Sequence, residues 1–140
     1  MTDVQASALE ELLVEREPII NDFQIMIATV NGSGSQTANT ALLRSIFRMG
    51  VPVSGKNIFP SNIQGLPTWF TIRVSKDGYI ARREDYHILA AMNRDTIAED
   101  VRKLPPGGVC LYPQEWKLAQ DRADLIYYPM PVEELLATSD

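Results

Sequence analysis

The run FQIMIATV, Phe23 to Val30, constrains the fold more than any other stretch of the chain. It is apolar and partly β-branched, without the in-out alternation of a strand that has one wet face, so it reads as a strand covered on both sides. It leads into the glycine-and-serine turn VNGSGSQT and then into ANTALLRSIFRMG. There Leu42, Leu43, Ile46, Phe47 and Met49 recur at the spacing of an amphipathic helix, which Gly50 closes. A second short strand, Val51 to Ser54, is expected next. Strand, helix and strand joined by short turns make a right-handed βαβ unit, the opening of a doubly wound sheet.

The rest of the chain continues the same grammar. TWFTIRVS sets Phe70, Ile72 and Val74 against Trp69, Thr71 and Arg73, which predicts a half-exposed strand. Lys76, Asp77 and Gly78 predict a tight turn into Tyr79 and Ile80, and so a hairpin at that point. DYHILAAM reads as another buried strand, with Asn93 placed to cap a helix over NRDTIAEDVRKL. PPGG turns the chain into the strand VCLY; a last strand, Ala123 to Tyr128, is bounded by Pro129 and Pro131, and the helix VEELLATSD follows. Strands are therefore expected near residues 24–30, 51–54, 69–75, 86–91, 109–112 and 124–128. The expected fold is a Rossmann-like three-layer α/β domain with a mostly parallel sheet and one hairpin. It occupies residues 21–140, behind an acidic leader of residues 1–20 in which Leu9, Leu12 and Leu13 share a helical face.

The turn after the first strand admits two readings. Backbone N–H groups at a helix N-terminus have no intrahelical acceptor and face the positive end of the dipole, which welcomes an anion. Asn31, Gly32, Ser33, Gly34, Ser35, Gln36 and Thr37 supply the tight turn and the extra donors. The dinucleotide fingerprint, however, wants a third glycine where Thr37 stands, and an acidic residue where the second strand carries Ser54, Gly55 and Lys56. A P-loop is excluded because no Gly-Lys-Ser/Thr follows. An anion site and a plain strand-to-helix connection both remain open. The loop NIFPSNIQGLPTW, Asn57 to Trp69, is a second candidate: Ser61, Asn62, Gln64 and Gly65 can bind a ligand or simply satisfy the loop's own backbone.

Taken together, VNGSGSQTANTALLRSIFRMG, FPSNIQGLPTWFTIRVS, the DYHILAAMN strand and the PPGGV turn resemble the gamma-type domain of 2-oxoacid:ferredoxin oxidoreductases. The likeness is nearest to that domain as fused to the N-terminus of the alpha subunit in enzymes of the 2-oxoglutarate type. It covers Asp22 to Leu136. Many relatives carry glycine pairs where this chain has Gly32-Ser33-Gly34 and Gly65-Leu66-Pro67. The resemblance implies oxidative decarboxylation of a 2-oxoacid with coenzyme A, giving acyl-CoA and carbon dioxide, with electrons passing to ferredoxin. It also implies that thiamine diphosphate with magnesium, and iron–sulfur clusters, belong to the alpha and beta parts of the enzyme. Alpha subunits of this fused type are several times longer, so Asp140 is expected to fall at a domain boundary or to end a separately encoded domain.

The composition agrees with that division of labour. Cys110 is the only cysteine, too few for a cluster or an internal disulfide, and no His, Cys or carboxylate grouping has metal-ligand spacing. No catalytic residue is assigned, and His87 reads as a satisfied strand histidine. A formal charge of −5 with scattered Lys and Arg gives no footprint for nucleic acid. The longest apolar runs fall short of a membrane span, and no secretory signal opens the chain, so a cytoplasmic location is expected. Three functions follow: the coenzyme A side of a multi-subunit oxidoreductase; an assembly module with no ligand; or an NADP-linked reductase using Ser54 and Lys56 for the ribose phosphate.

Overall fold

The computed structural model describes Asp3, Ala6, Ser7, residues 17–60 and residues 65–139. The expected leader helix lies almost wholly outside these residues. The order is β1 (Asp22–Val30), α1 (Ser35–Arg48), β2 (Val53–Ile58), β3 (Pro67–Ser75), β4 (Ile88–Ala91), α2 (Ile97–Arg102), β5 (Val109–Pro113), a 3-10 turn (Gln114–Trp116), β6 (Ile126–Met130) and α3 (Val132–Ala137). Six strands form one sheet in the order β2-β3-β1-β4-β5-β6. β1, β4, β5 and β6 run parallel to one another, while β3 is antiparallel to both β1 and β2. This is the α/β, mostly parallel fold that the sequence predicts, and β2 is parallel to β1 with β3 inserted between them.

β1 is apolar because each face enters a different core. Ile27, with Phe23 and Ile25, packs under Ile46 and Leu43 of α1 beside Phe70, Ile72 and Val74. Met26 and Ala28 face the other core, with Leu89, Cys110, Tyr112 and Leu125 under Ile97 of α2. α1 turns fewer apolar residues to the sheet than its spacing predicts: Phe47 and Met49 are 68% and 72% exposed, and Leu42 also faces outward.

Six expectations need correction. β3 is not half-exposed, for Thr71 and Arg73 are buried. The segment 79–87 crosses their face, held where Ser54 Oγ donates to Ile80 O and where Gln24 grips Arg83 and Asp85. The hairpin is β2–β3, closed by the loop 59–66. Lys76–Gly78 does make its turn (Gly78 N–H to Ser75 O, 3.0 Å), but both edges of β3 are already taken by β1 and β2, so Tyr79 and Ile80 leave the sheet. β2 starts later and runs further than Val51–Ser54, because its pairing with β3 through Ile58↔Trp69 needs only backbone. Asn93 does not cap α2: its Oδ1 accepts from Asp95 N–H and its Nδ2 donates to Thr29 O, tying the end of β4 to β1. β4 likewise begins at Ile88 rather than Tyr86. β6 continues through Pro129, tolerated because β6 is an edge strand whose outer side needs no donor.

Most polar groups inside the fold are paired, the exceptions among the described residues being Arg73 Nε, Thr96 Oγ1 and Asp100 Oδ2. Gln24 is fully buried; its Nε2 donates to Arg83 O (2.9 Å) and Asp85 O (3.3 Å), and its Oε1 accepts from Arg83 N–H (2.9 Å). His87 Nδ1 accepts from Gln24 N–H, and burial lowers its pKa, so the ring is neutral and structural. Arg73 Nη2 reaches Asp22 Oδ1 at 2.6 Å, and that bond holds the Asp22 carboxyl below its ordinary value. Asp100 is buried, its Oδ1 accepting from Trp69 Nε1 (3.1 Å) and its carbonyl from the Tyr86 hydroxyl.

Two outcomes follow from these contacts. Gln24→Leu keeps the volume but strands three backbone groups, so it should destabilise by about 3 kcal/mol and release the Arg83 amide to hydrogen exchange. Denaturant unfolding with exchange mass spectrometry reads both. Burial raises the Asp100 carboxyl above its ordinary value, outweighing the Trp69 hydrogen bond that lowers it. A raised acid binds more protons folded than unfolded, so stability falls as pH rises from the ordinary carboxylate value through the raised one. Asp100→Asn keeps an acceptor for Trp69 and should flatten that slope without loss of stability above the window. Asp100→Leu strands the indole N–H and should lose about 1–3 kcal/mol, measured by denaturation across pH.

Candidate functional site

The strand order places the ends of β1 and β2 and the start of β3 at one edge, and the glycine turn rises from the first of them. Ser33 N–H closes the turn on Val30 O (3.1 Å), and Gly32 and Gly34 take φ of 84° and 79°, a region that side chains strongly disfavour. Gly34 is the N-cap of α1 and brings no side-chain cap, and α1 has no acidic residue in its first turn. The first N–H groups of a 14-residue helix thus stand open at the positive end of its dipole. A Cβ built on Gly34 would meet nothing within 4 Å, so the space over these amides is clear.

The long loop comes to the same place. Asn31 N–H donates to Leu66 O (2.8 Å) and Gly65 N–H donates to Asn31 O (3.0 Å), a reciprocal backbone pair that fastens the loop's end to the start of the turn. Between them lies a cleft of about 490 Å³, lined by Asn31, Gly32, Gly34, Ser35 and Gln36 of the turn and by Asn57 and Phe59 at the end of the β2 hairpin arm. Thr29, Thr68, Trp69, Phe70 and Asn39 complete it. Ser33 and Thr37 do not line the cleft, and Gly65 adjoins it through Asn31. Ser61, Asn62 and Gln64 lie outside the described residues. Ser35 Oγ donates to Thr29 Oγ1 (3.1 Å), and Thr68 Oγ1 donates to Ile58 O (3.2 Å), which fixes both walls.

Among the described residues no charged side chain lines this cleft. Its attraction for an anion comes from backbone dipoles, and its body is neutral and partly aromatic. Asn39, Asn57 and Phe59 are absent from the residues the sequence singles out. Asn39 had a readable signal: it is polar, one helical turn after Ser35, on the side of α1 that faces the sheet.

The residues of the NADP reading sit elsewhere. Ser54 Oγ is engaged by Ile80 O, and Lys56 lines a separate cleft with Arg73 and Arg82 that shares no residue with the first. Among the described residues no group of three or more His, Cys, Asp or Glu side chains is placed to hold a metal ion. Cys110 is buried, its thiol pushed up to about 12 by burial and so protonated. Among the described residues no helix is long and apolar enough to cross a membrane.

Comparison with solved structures finds the same fold in enzymes of one kind. A 2-oxoglutarate:ferredoxin oxidoreductase from Magnetococcus marinus, solved with 2-oxoglutarate, coenzyme A and succinyl-CoA bound, superposes with a TM-score of 0.73 at 20% identity. The match covers 85% of this chain and 21% of that one, so the chain spans about a fifth of that relative's length. The gamma subunit of a keto/oxoacid ferredoxin oxidoreductase from Geobacter sulfurreducens gives 0.66 at 12% identity, over 83% of this chain and 65% of that. A pyruvate oxidoreductase subunit from Thermotoga maritima gives 0.53 at 16%, over 66% and 49%. Comparison with curated protein sequences gives no match. The family model for pyruvate ferredoxin/flavodoxin oxidoreductases matches residues 24–139, which takes in the whole sheet, the turn and the loop, and the chain belongs to that family.

Proposed function

We propose that the chain is the gamma-type domain of a multi-subunit 2-oxoacid:ferredoxin oxidoreductase of the 2-oxoglutarate type, and that it supplies the coenzyme A side of the reaction. The carrying observation is the Asn31–Leu66/Gly65 pair, which makes one uncharged cleft out of the turn and the loop, under an uncapped helix N-terminus. The coenzyme A diphosphate lies over the N–H groups of Gly34 to Thr37, where an anion replaces the missing cap. The pantetheine arm runs along the cleft toward the loop that contains Ser61, Asn62, Gln64 and Gly65. Ligands in sheets of this kind bind at the C-terminal ends of the strands, which is where the cleft opens. The Magnetococcus marinus relative, solved with coenzyme A and succinyl-CoA bound, supports the assignment.

The decarboxylation itself belongs to the partners. One buried cysteine cannot ligate an iron–sulfur cluster, and no acidic grouping among the described residues suits a diphosphate-bound magnesium ion. The thiamine-binding alpha and beta parts carry that chemistry, and ferredoxin meets the enzyme there. This chain binds and orients the acyl acceptor.

A second reading, assembly without a ligand, draws on the outward apolar residues Phe47 of α1 and Met49 just past its C-terminus. Kinetics of the assembled enzyme separate the two. Gly34→Ala costs the fold only the strain of a positive φ, about 1 kcal/mol, but puts a methyl group where the diphosphate approaches. The KM for coenzyme A should rise at least tenfold. Ser35→Ala loses one hydrogen bond, about 1 kcal/mol, and should shift it only a few-fold. An unchanged KM in an assembled Gly34→Ala enzyme leaves the assembly reading standing. The purified chain alone, given a 2-oxoacid and coenzyme A, should reduce neither ferredoxin nor a dye.

A further inference from the structure

Asn39 is the anomaly of the cleft. It is 5% exposed, it lines the cleft from the sheet side of α1, and its carboxamide makes no hydrogen bond among the described residues. Its amide atoms open on the cleft rather than being sealed in the core, for the orphaned buried atoms among the described residues belong to Arg73, Thr96 and Asp100, so a bound molecule can complete it. Every other buried polar side chain around the cleft is engaged: Thr29 Oγ1 accepts from Ser35, and Thr68 Oγ1 donates to Ile58 O. Asn57, on the β2 wall, offers a second carboxamide to the same space.

We infer that Asn39 is an amide-reading residue: its carboxamide, with Asn57 opposite, recognises a neutral, amide-bearing arm of the ligand. A carboxamide offers two donors and one acceptor in a plane, a set that another amide completes and that an anion leaves half unmet. No charged side chain competes, and Val30, Phe59, Trp69 and Phe70 give the apolar walls that the methylenes between amides need. Asn39 lies four residues along α1 from Ser35, about 6 Å further on at 1.5 Å per residue. The site therefore has two parts, backbone N–H groups for an anion at its mouth and carboxamides for a neutral chain in its body. The inference rests on the coenzyme A reading and sharpens it, since it assigns the discrimination to the pantetheine amides rather than to the nucleotide.

The test uses the assembled enzyme and three probes: the KM for coenzyme A, and the inhibition constants of S-methylpantetheine, whose blocked thiol takes up no acyl group, and of adenosine 3′,5′-bisphosphate. Asn39→Leu and the nearly isosteric Asn39→Asp should each weaken coenzyme A and S-methylpantetheine roughly tenfold or more, with the bisphosphate within twofold of wild type. Two variants of different size guard against an effect on folding alone. Equal S-methylpantetheine inhibition in wild type and Asn39→Asp overturns the inference while the coenzyme A reading survives. Coenzyme A kinetics unchanged from wild type in both the Gly34→Ala and the Asn39 enzymes overturn the two together. Loss of bisphosphate inhibition in parallel with S-methylpantetheine also overturns it, because Asn39 then acts on the cleft's shape.

Discussion

Both edges and both faces of β1 are committed. It pairs over its whole length with β3, takes β4 along its other edge, and presents alternate residues to two separate cores. Such a strand has no freedom to slip, since a shift of one residue would exchange the two cores. Its C-terminal end is therefore the most firmly placed point at that edge of the sheet. The glycine turn grows from that end, and the reciprocal backbone pair at Asn31 fastens the long loop to it. The cleft inherits its geometry from a strand that cannot move, which is what a binding site needs if ordering it is not to cost affinity.

The cleft's electrostatics follow from the backbone alone. α2 and α3 each carry acidic residues in the first turn, Glu99 and Asp100 in one and Glu133 and Glu134 in the other, whereas α1 carries none and has a glycine for its N-cap. A side-chain cap or an acid there would satisfy the amides and remove the reason for an anion to bind. None of the described cations lines the cleft: Lys56, Arg73 and Arg82 line a separate one, and Lys103 pairs with Glu99 at the surface.

How much of this was legible in the sequence depends on what each residue's neighbours demanded. β1 and β5 were plain because continuous apolar runs mark strands covered on both faces, and α1 was plain from its spacing although Leu42 and Phe47 face outward. The extension of β2 to Ile58 was not, because Gly55, Lys56 and Asn57 pair through their backbone and the side chains record nothing. The polar face of β3 looked wet because Thr71 and Arg73 are hydrophilic. It is dry because a segment 79–87, itself without regular structure, lies over it and brings carbonyls and Gln24 contacts with it. The false hairpin at Lys76 arose from a correct turn, since sequence shows where a chain turns but not whether the strand before it has a free edge. The turn and the loop were each visible as motifs. That they share one cleft depended on a β3 that runs back beside β1, which is topology and not pattern.

Asn39 shows the same division at the scale of one side chain. In the sequence it is a polar residue in an amphipathic helix, ordinarily a solvent-facing one. Its phase was readable, for Ser35, Asn39, Leu43 and Ile46 succeed one another at helical spacing, and the last two pack on the sheet. A carboxamide on the buried stripe weakens the core by the apolar contact it forgoes and by its own desolvation. α1 has little apolar packing to spare, with Ile46 its only buried hydrophobic residue. An amide on so thinly packed a helix gives up apolar contact that a leucine would make, and a molecule that met it from the cleft would stabilise the helix by mass action.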